Sequence, residues 1–203
     1  MSSNKHKKEM VKRLLELPTE FETERLIIRK FRKDDGEGLF KLLERNNNRE
    51  FLKEHVDEAT NVQTLSEADT RVRSLAEDFR LRNRFVMGIW LKETDLFIGN
   101  IWIEPKMWNV PSYEIGYYLD YGYTKKGYAS EAIKRAIKYI FEELKAHKII
   151  LITRDTNVDS IKLAERMNFV REGHFRESNI ENSKRFGLYY YGMLKHEYEN
   201  LKK

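Results

Sequence analysis

The 203-residue chain carries 38 Lys and Arg against 33 Asp and Glu, a formal net charge of +5, with 40% hydrophobic residues and no cysteine. That composition supports one apolar core and excludes a disulfide framework, a thiolate zinc site and a cysteine nucleophile. No apolar run approaches the roughly 20 residues that span a bilayer, and the amino terminus MSSNKHKKEMVKRLLEL lacks a secretory apolar stretch, so a cytoplasmic location without membrane contact is expected.

The opening residues are basic and helix-permissive, and are expected as an extension over 1–20 ahead of a domain over 21–203. Glu24 to Phe31 (ERLIIRKF) reads as a strand with Leu26, Ile28 and Lys30 on one face. Asp34 or Asp35 can cap a helix carrying Leu39, Phe40, Leu42 and Leu43. Thr64 and Glu67 form a capping box, behind which Leu65, Ala68, Val72, Leu75, Ala76 and Phe79 line one helical face. Phe85 to Leu91 and Leu96 to Glu104 flank the polar turn KETD, as a hairpin does, and Ser112 to Asp120 is a third strand.

The clearest periodicity follows. Ala129, Ile133, Ala136, Ile137, Ile140, Phe141 and Leu144 make one apolar stripe, with Lys134, Arg135, Lys138, Glu142 and Glu143 opposite. Lys148 to Thr153 (KIILIT) is a continuous apolar run, as in a strand buried on both faces. A helix over Asp159 to Met167 and strands over Phe169 to Arg176 and Arg185 to Leu194 complete the chain. Residues 112–153 therefore form a βαβ unit with parallel strands and a right-handed crossover. Antiparallel hairpins flank it, which makes an α/β domain with a mixed sheet and helices on its faces.

Between the third strand and the apolar-striped helix lies Gly122 to Ser130 (GYTKKGYAS). A helix N-terminus presents N–H groups without intrahelical partners and adds the positive end of the dipole, so it suits an anion. Gly122 and Gly127 allow close backbone approach, Lys125 and Lys126 add charge, and the Ser130 hydroxyl can donate to a phosphate. Tyr128-Ala129 stands where a P-loop requires Lys-Ser/Thr, and G-x-G-x-x-G is absent. An ordinary strand-to-helix turn with surface lysines fits the same residues.

The wider pattern goes further. Glu114-Ile115-Gly116-Tyr117-Tyr118-Leu119-Asp120, with Tyr123-Thr124-Lys125-Lys126-Gly127-Tyr128-Ala129-Ser130-Glu131-Ala132, resembles the acetyl-CoA motif of GNAT N-acetyltransferases. So does Asn157-Val158-Asp159-Ser160 followed by Glu165-Arg166-Met167-Asn168-Phe169. Thr23-Glu24-Arg25-Leu26-Ile27-Ile28-Arg29 and Tyr191-Gly192-Met193-Leu194 are similar to the ribosomal-protein alanine or serine N-terminal acetyltransferase branch. The chain departs from the family pattern at three points. Thr124 stands where Gln or Arg is usual, Asn168 replaces a glycine, and Gly187 replaces an acidic residue before the final tyrosine strand.

The resemblance implies a mostly antiparallel mixed sheet whose central parallel pair splays apart, with acetyl-CoA as acetyl donor. The pantetheine arm would pair with the strand edge at Tyr117, Tyr118 and Leu119. The pyrophosphate would sit on Thr124, Lys125, Lys126, Gly127, Tyr128, Ala129 and Ser130. An amine would attack the thioester directly. Glu114 would take its proton through water, Ser160 would protonate the sulfur, and Asn157 would hold the pantetheine amide. Capping of the following helix by Asn157 and Ser160 is the plainer role for both. The acceptor slot would lie between Asn46–Asn61 and Glu177–Arg185, both polar and loop-like. Glu50, Glu54, Asp57 and Glu58 there could attract a cationic amine: a protein N-terminus, with polyamine and aminoglycoside as alternatives.

Two rival classes share the scaffold: a non-catalytic acyl-CoA sensor, and a ribosome- or RNA-binding module. The second lacks interleaved aromatic and basic residues on one strand, so no specific nucleic acid is expected. A monomer or homodimer is compatible with the sequence. Among Tyr189, Tyr190 and Tyr191, packing is the leading role, and Trp90, Trp102 and Trp108 read as core or rim. His6, His55, His147, His174 and His196 lack metal-ligand spacing, and no metal is expected.

Overall fold

The computed structural model describes residues 17–53, 60–181 and 183–202. Eight strands form one sheet: β1 (Glu20–Glu22), β2 (Leu26–Lys30), β3 (Phe85–Leu91), β4 (Phe97–Met107), β5 (Ser112–Leu119), β6 (Lys148–Arg154), β7 (Val170–Glu181) and β8 (Lys184–Leu194). Their spatial order is β1-β2-β3-β4-β5-β6-β8-β7. Every neighbouring pair is antiparallel except β5 and β6. The described helices are α1 (Gly36–Glu44), α2 (Asn48–Lys53), α3 (Leu65–Leu81), α4 (Tyr128–Glu142), α5 (Val158–Arg166) and α6 (Lys195–Asn200).

Side chains alternate across each strand, so the sheet builds two cores. Ile98, Ile101 and Ile103 of β4 join Ile133, Ile137 and Ile140 of α4 and Leu163 of α5. Phe97 and Tyr118 instead meet Leu39, Leu42 and Leu43 of α1 and Val72 and Leu75 of α3. The α3 capping box forms as expected: Thr64 Oγ1 accepts from the Glu67 N–H at 3.2 Å, and the Glu67 carboxylate accepts in return from the Thr64 N–H. Leu65, expected on the apolar face of α3, is exposed instead.

Several expectations are corrected. Lys30 is exposed, whereas Arg29 beside it is buried. Its guanidinium makes a bidentate pair with Asp35 at 2.7 and 2.8 Å and lies over Trp90. Asp35 occupies the α1 N-cap, but its carboxylate serves Arg29 and the Arg32 N–H rather than the helix. In β6 only Ile149, Leu151 and Thr153 are buried, while Ile150 and Ile152 stay partly open. The strand therefore has one covered face, not two. Asn48–Lys53 is helical, and in the segment expected as a second loop Glu177 to Glu181 and Lys184 to Arg185 are strand residues of β7 and β8. Residues 1–16, Glu54, His55, Asp57 and Glu58 lie outside the described residues. Tyr139, outside the expected stripe of α4, is fully buried: it packs on Phe21 and donates to the Pro18 carbonyl at 3.2 Å. Asn168, which stands where the family has a glycine, adopts a left-handed backbone with φ of 63°, which Asn tolerates better than other residues with a Cβ.

Candidate active site

The site begins where the parallel pair ends. β5 and β6 are in register at Ser112–Lys148, Tyr113–Ile149 and Glu114–Ile150 and at no later position. Beyond that point β5 stays with β4 as far as Leu119, and β6 stays with β8 as far as Arg154. The two strands thus part after Glu114, leaving the backbone groups of β5 from Ile115 onward facing a gap. A cleft of about 340 Å³ opens there. Tyr117, Tyr118 and Leu119 line it from β5, and Thr124, Lys125, Gly127, Ala129 and Ser130 line it from the turn and the start of α4. Asn157 and Ser160 close the opposite wall.

The turn into α4 is built by unusual backbone. Lys125 has φ of 57° and Gly127 φ of 86°, values that L-residues with a Cβ adopt at a cost. The first intrahelical bond of α4 runs from the Glu131 N–H to the Gly127 carbonyl at 3.0 Å. The N–H groups of Tyr128, Ala129 and Ser130 precede it and have no place in the helical ladder. Gly127 caps this 15-residue helix without a side-chain bond. An anion at this end meets the positive end of the dipole.

Side chains sort themselves around this turn. Lys125 faces the cleft, whereas Lys126 does not line it: its ammonium donates back to the Gly122 carbonyl at 2.7 Å. Tyr128 is also outside the lining and lies under the Arg25 guanidinium. The Thr124 hydroxyl donates inward to the Tyr121 carbonyl at 2.8 Å, so its proton is not available to a ligand. Ser130 Oγ accepts from Arg166 at 3.2 Å, which leaves its own hydrogen able to donate. Gly122 is small for another reason than ligand approach, since a Cβ there would fall 2.5 Å from Asn46 Nδ2.

The opening Thr-Glu-Arg motif finds its physical reason here. Thr23 Oγ1 donates to Glu131 Oε1 at 2.5 Å, the Arg25 N–H donates to the same oxygen at 2.9 Å, and Arg25 Nε donates to Oε2 at 2.7 Å. Arg25 also donates to the Lys126 carbonyl at 3.1 Å. The β1–β2 connection is thereby locked onto the first turn of α4. Burial would raise the Glu131 pKa, but the bonds from Thr23 and Arg25 outweigh it and hold the carboxyl below its ordinary value.

On the far wall, Asn157 Oδ1 accepts from the Ser160 N–H at 3.1 Å and so caps α5, the plainer of its two roles. Ser160 is not itself a cap. Its hydroxyl lies 3.2 Å from the Tyr117 hydroxyl, and both residues line the cleft. Burial raises the Tyr117 pKa, with Ser160 offsetting part of that rise, so the phenol is neutral at physiological pH. Glu114 sits at the vertex of the splay but outside the lining. Lys106 pairs with it at 2.8 Å and with Glu104 at 3.3 Å.

Five further residues line the cleft that the sequence did not single out for a role: Phe51 and Leu52 of α2, inside the expected acceptor segment, and Asp159, Leu163 and Arg166 of α5. Ser160, Leu163 and Arg166 recur every three residues, the spacing of one helical face, which was a usable signal. Nothing comparable marked α2, a helix of six residues. Trp90 is core and Trp102 partly buried, whereas Trp108 is 46% exposed. Tyr191 is buried. Among the described residues no group of three His, Asp or Glu side chains could hold a metal ion, and no helix is long and apolar enough to cross a membrane.

A splayed parallel pair beside an amide-rich helix start brings an unpaired strand edge and an anion site together in one cleft. Residues 25–170 match the acetyltransferase (GNAT) domain, and the chain belongs to that family. It is 28% identical over 176 residues to the Bacillus subtilis protein named "Uncharacterized N-acetyltransferase YnaD", covering 87% of this chain and 97% of that protein. A GNAT-family acetyltransferase structure from Bacillus anthracis is 27% identical with a TM-score of 0.72, over 87% of this chain and 99% of that one. The ribosomal L7/L12 α-N-protein acetyltransferase RimL, solved with coenzyme A, shares the fold at 17% identity and a TM-score of 0.77, over 89% and 98% of the two chains. The chain is therefore an acetyl-CoA-dependent N-acetyltransferase.

Proposed function

We propose that the amine acetylated is the free N-terminus of a protein or peptide, of the kind carried by ribosomal proteins. The observation that carries this reading is the pairing of the described carboxylates on β4, β5 and the β7–β8 hairpin, which leaves Asp159 of α5 as the cleft-lining carboxylate without an ion pair. Glu181 is paired with Arg154, Glu177 with Arg185, and Glu104 and Glu114 share Lys106. A polyamine or aminoglycoside brings several ammonium groups and needs several unpaired carboxylates to offset their desolvation. A peptide brings one. The relationship in fold to RimL, named for ribosomal L7/L12, points the same way.

In this reading the thioester lies against the β5 edge at Tyr117, Tyr118 and Leu119, and the pyrophosphate lies on Thr124 to Ser130. Lys125 and Arg166 supply charge there, and the amides of Lys126 and Tyr128 contribute through their backbone alone. The amine nitrogen forms a bond to the acetyl carbon, and the carbon–sulfur bond breaks. The proton leaving nitrogen passes through water toward Glu114, whose carboxylate the Lys106 ammonium steadies. The thiolate takes a proton from Ser160 as Tyr117 passes its own to Ser160 across their 3.2 Å contact, and water entering the cleft returns a proton to the phenol. β5 N–H groups stabilise the tetrahedral oxyanion. Asn157 orients α5 and offers its amide nitrogen to the pantetheine.

Release of free CoA from acetyl-CoA should be measured against peptides with free N-termini, the same peptides N-acetylated, polyamines and aminoglycosides. CoA release with free peptide N-termini alone supports the proposal. Turnover with spermine or an aminoglycoside and none with peptides overturns it. Retained CoA binding with no turnover on any amine moves the chain to the sensor class.

A further inference from the structure

The connection between α1 and α2 is fastened to the turn that leads into the phosphate site by a carboxylate of zero side-chain exposure. Asp120, the first residue after β5, accepts from Arg45 Nε at 2.5 Å, from Asn46 Nδ2 at 2.9 Å and from the Gly122 N–H at 2.9 Å. The other arm of Arg45 donates to the Phe97 carbonyl. Asn48, also fully buried, donates to the Leu42 carbonyl at 2.7 Å and accepts from the Tyr121 N–H at 2.7 Å. The Phe51 ring of α2 packs on Tyr121 with centroids 4.9 Å apart. Asn46 and Asn47 both hold left-handed backbone, which fixes the loop in one shape.

These contacts join two parts of one cleft. Residues 120–122 run directly into Thr124, Lys125 and Gly127, while Phe51 and Leu52 form the wall that α2 contributes. We propose that Asp120 is a positioning residue that couples the phosphate turn to α2, so that coenzyme A bound on the turn also fixes the α2 wall on the acceptor side. The inference rests on the coenzyme A reading of the turn. Its chemistry is that of a shared acceptor: one buried carboxylate oxygen set serves a donor from the turn and two from the loop, so neither side shifts without leaving a donor unpaired. Linkage then requires that ordering α2 strengthen coenzyme A binding by the same factor.

Hydrogen exchange of segment 42–53 with and without CoA tests this in the wild type and in two variants. Asp120→Asn keeps an oxygen for the Gly122 N–H but sets an amide N–H against the Arg45 donor. Arg45→Gln removes the guanidinium's bonds to Asp120 and to the Phe97 carbonyl while leaving the Asp120 carboxylate and its Gly122 bond in place, and carries the test should Asp120→Asn not fold. In the wild type, CoA should slow exchange over 42–53 by about tenfold, within the range usual for coupled sites. In the variants CoA should still protect 124–130 while leaving 42–53 unchanged. Protection of 42–53 in the variants equal to that in the wild type overturns the coupling. So does wild-type CoA binding without protection of 42–53. Absence of CoA binding by the wild type removes the cofactor reading itself, a distinct outcome visible in the first titration.

Discussion

Gly127→Ala isolates the backbone of the phosphate turn. Gly127 holds φ of 86°, and an added Cβ would sit 3.2 Å from the Arg25 guanidinium. The Arg25 guanidinium is 42% exposed and needs to give by only a few tenths of an ångström, so backbone strain is the main cost. The left-handed conformation costs a residue with Cβ about 1–2 kcal/mol, and the stiffer unfolded chain returns about 0.4–1 kcal/mol of it. The net loss is about 1 kcal/mol, or about 3 °C in Tm for a domain of this size. If the turn relieves its strain by rotating, one amide leaves the phosphate, and a bond to a charged group contributes about 1.5 kcal/mol. That is roughly a tenfold loss of affinity. CoA at 100 times its Kd stabilises by about 2.7 kcal/mol, about 8 °C here. At the same CoA concentration the variant should therefore keep only about half of that shift. Thermal unfolding with and without CoA reads both numbers. A lowered apo Tm with an undiminished CoA shift would refute the phosphate role of the turn, and an unchanged apo Tm would refute the strain argument.

Two further outcomes follow from the site. Ser160→Ala and Tyr117→Phe should each lower kcat, Ser160→Ala by about a hundredfold, the low end for a general acid, with the KM for acetyl-CoA little changed; steady-state kinetics with unchanged kcat in both removes the proton path through them. Glu131 has a folded pKa below its ordinary 4.5, so its contribution to stability is complete above about 4.5 and is lost as pH falls through the lower folded value. Glu131→Gln should therefore be less stable than wild type at neutral pH, and the two Tm values should converge on acidification below 4.5; a gap that stays constant to pH 3 would sink the assignment.

What the sequence reveals of this site depends on where each residue finds its partner. Gly127, Asn157 and the α4 stripe announce themselves because their demands are local: a left-handed φ, a cap three residues away, a repeat along one helix. The parallel β5–α4–β6 unit is legible for the same reason. Arg25 was visible only as part of a motif, because the carboxylate it serves lies 106 positions further on. The ladder of Asp120 with Arg45 spans 75 positions, and nothing near either residue hints at the other. α2 stayed hidden because it is short and takes its place from those long-range bonds. Lys126 and Tyr128 are the converse case. Their composition suited the phosphate, but the fold turns the lysine onto Gly122 and covers the tyrosine with Arg25. Local chemistry therefore identifies the turn proposed to hold the donor, where backbone amides would do the binding. The α2 wall proposed to face the acceptor is assembled from side chains distant in sequence, held by contacts such as those of Asp120 rather than by any motif.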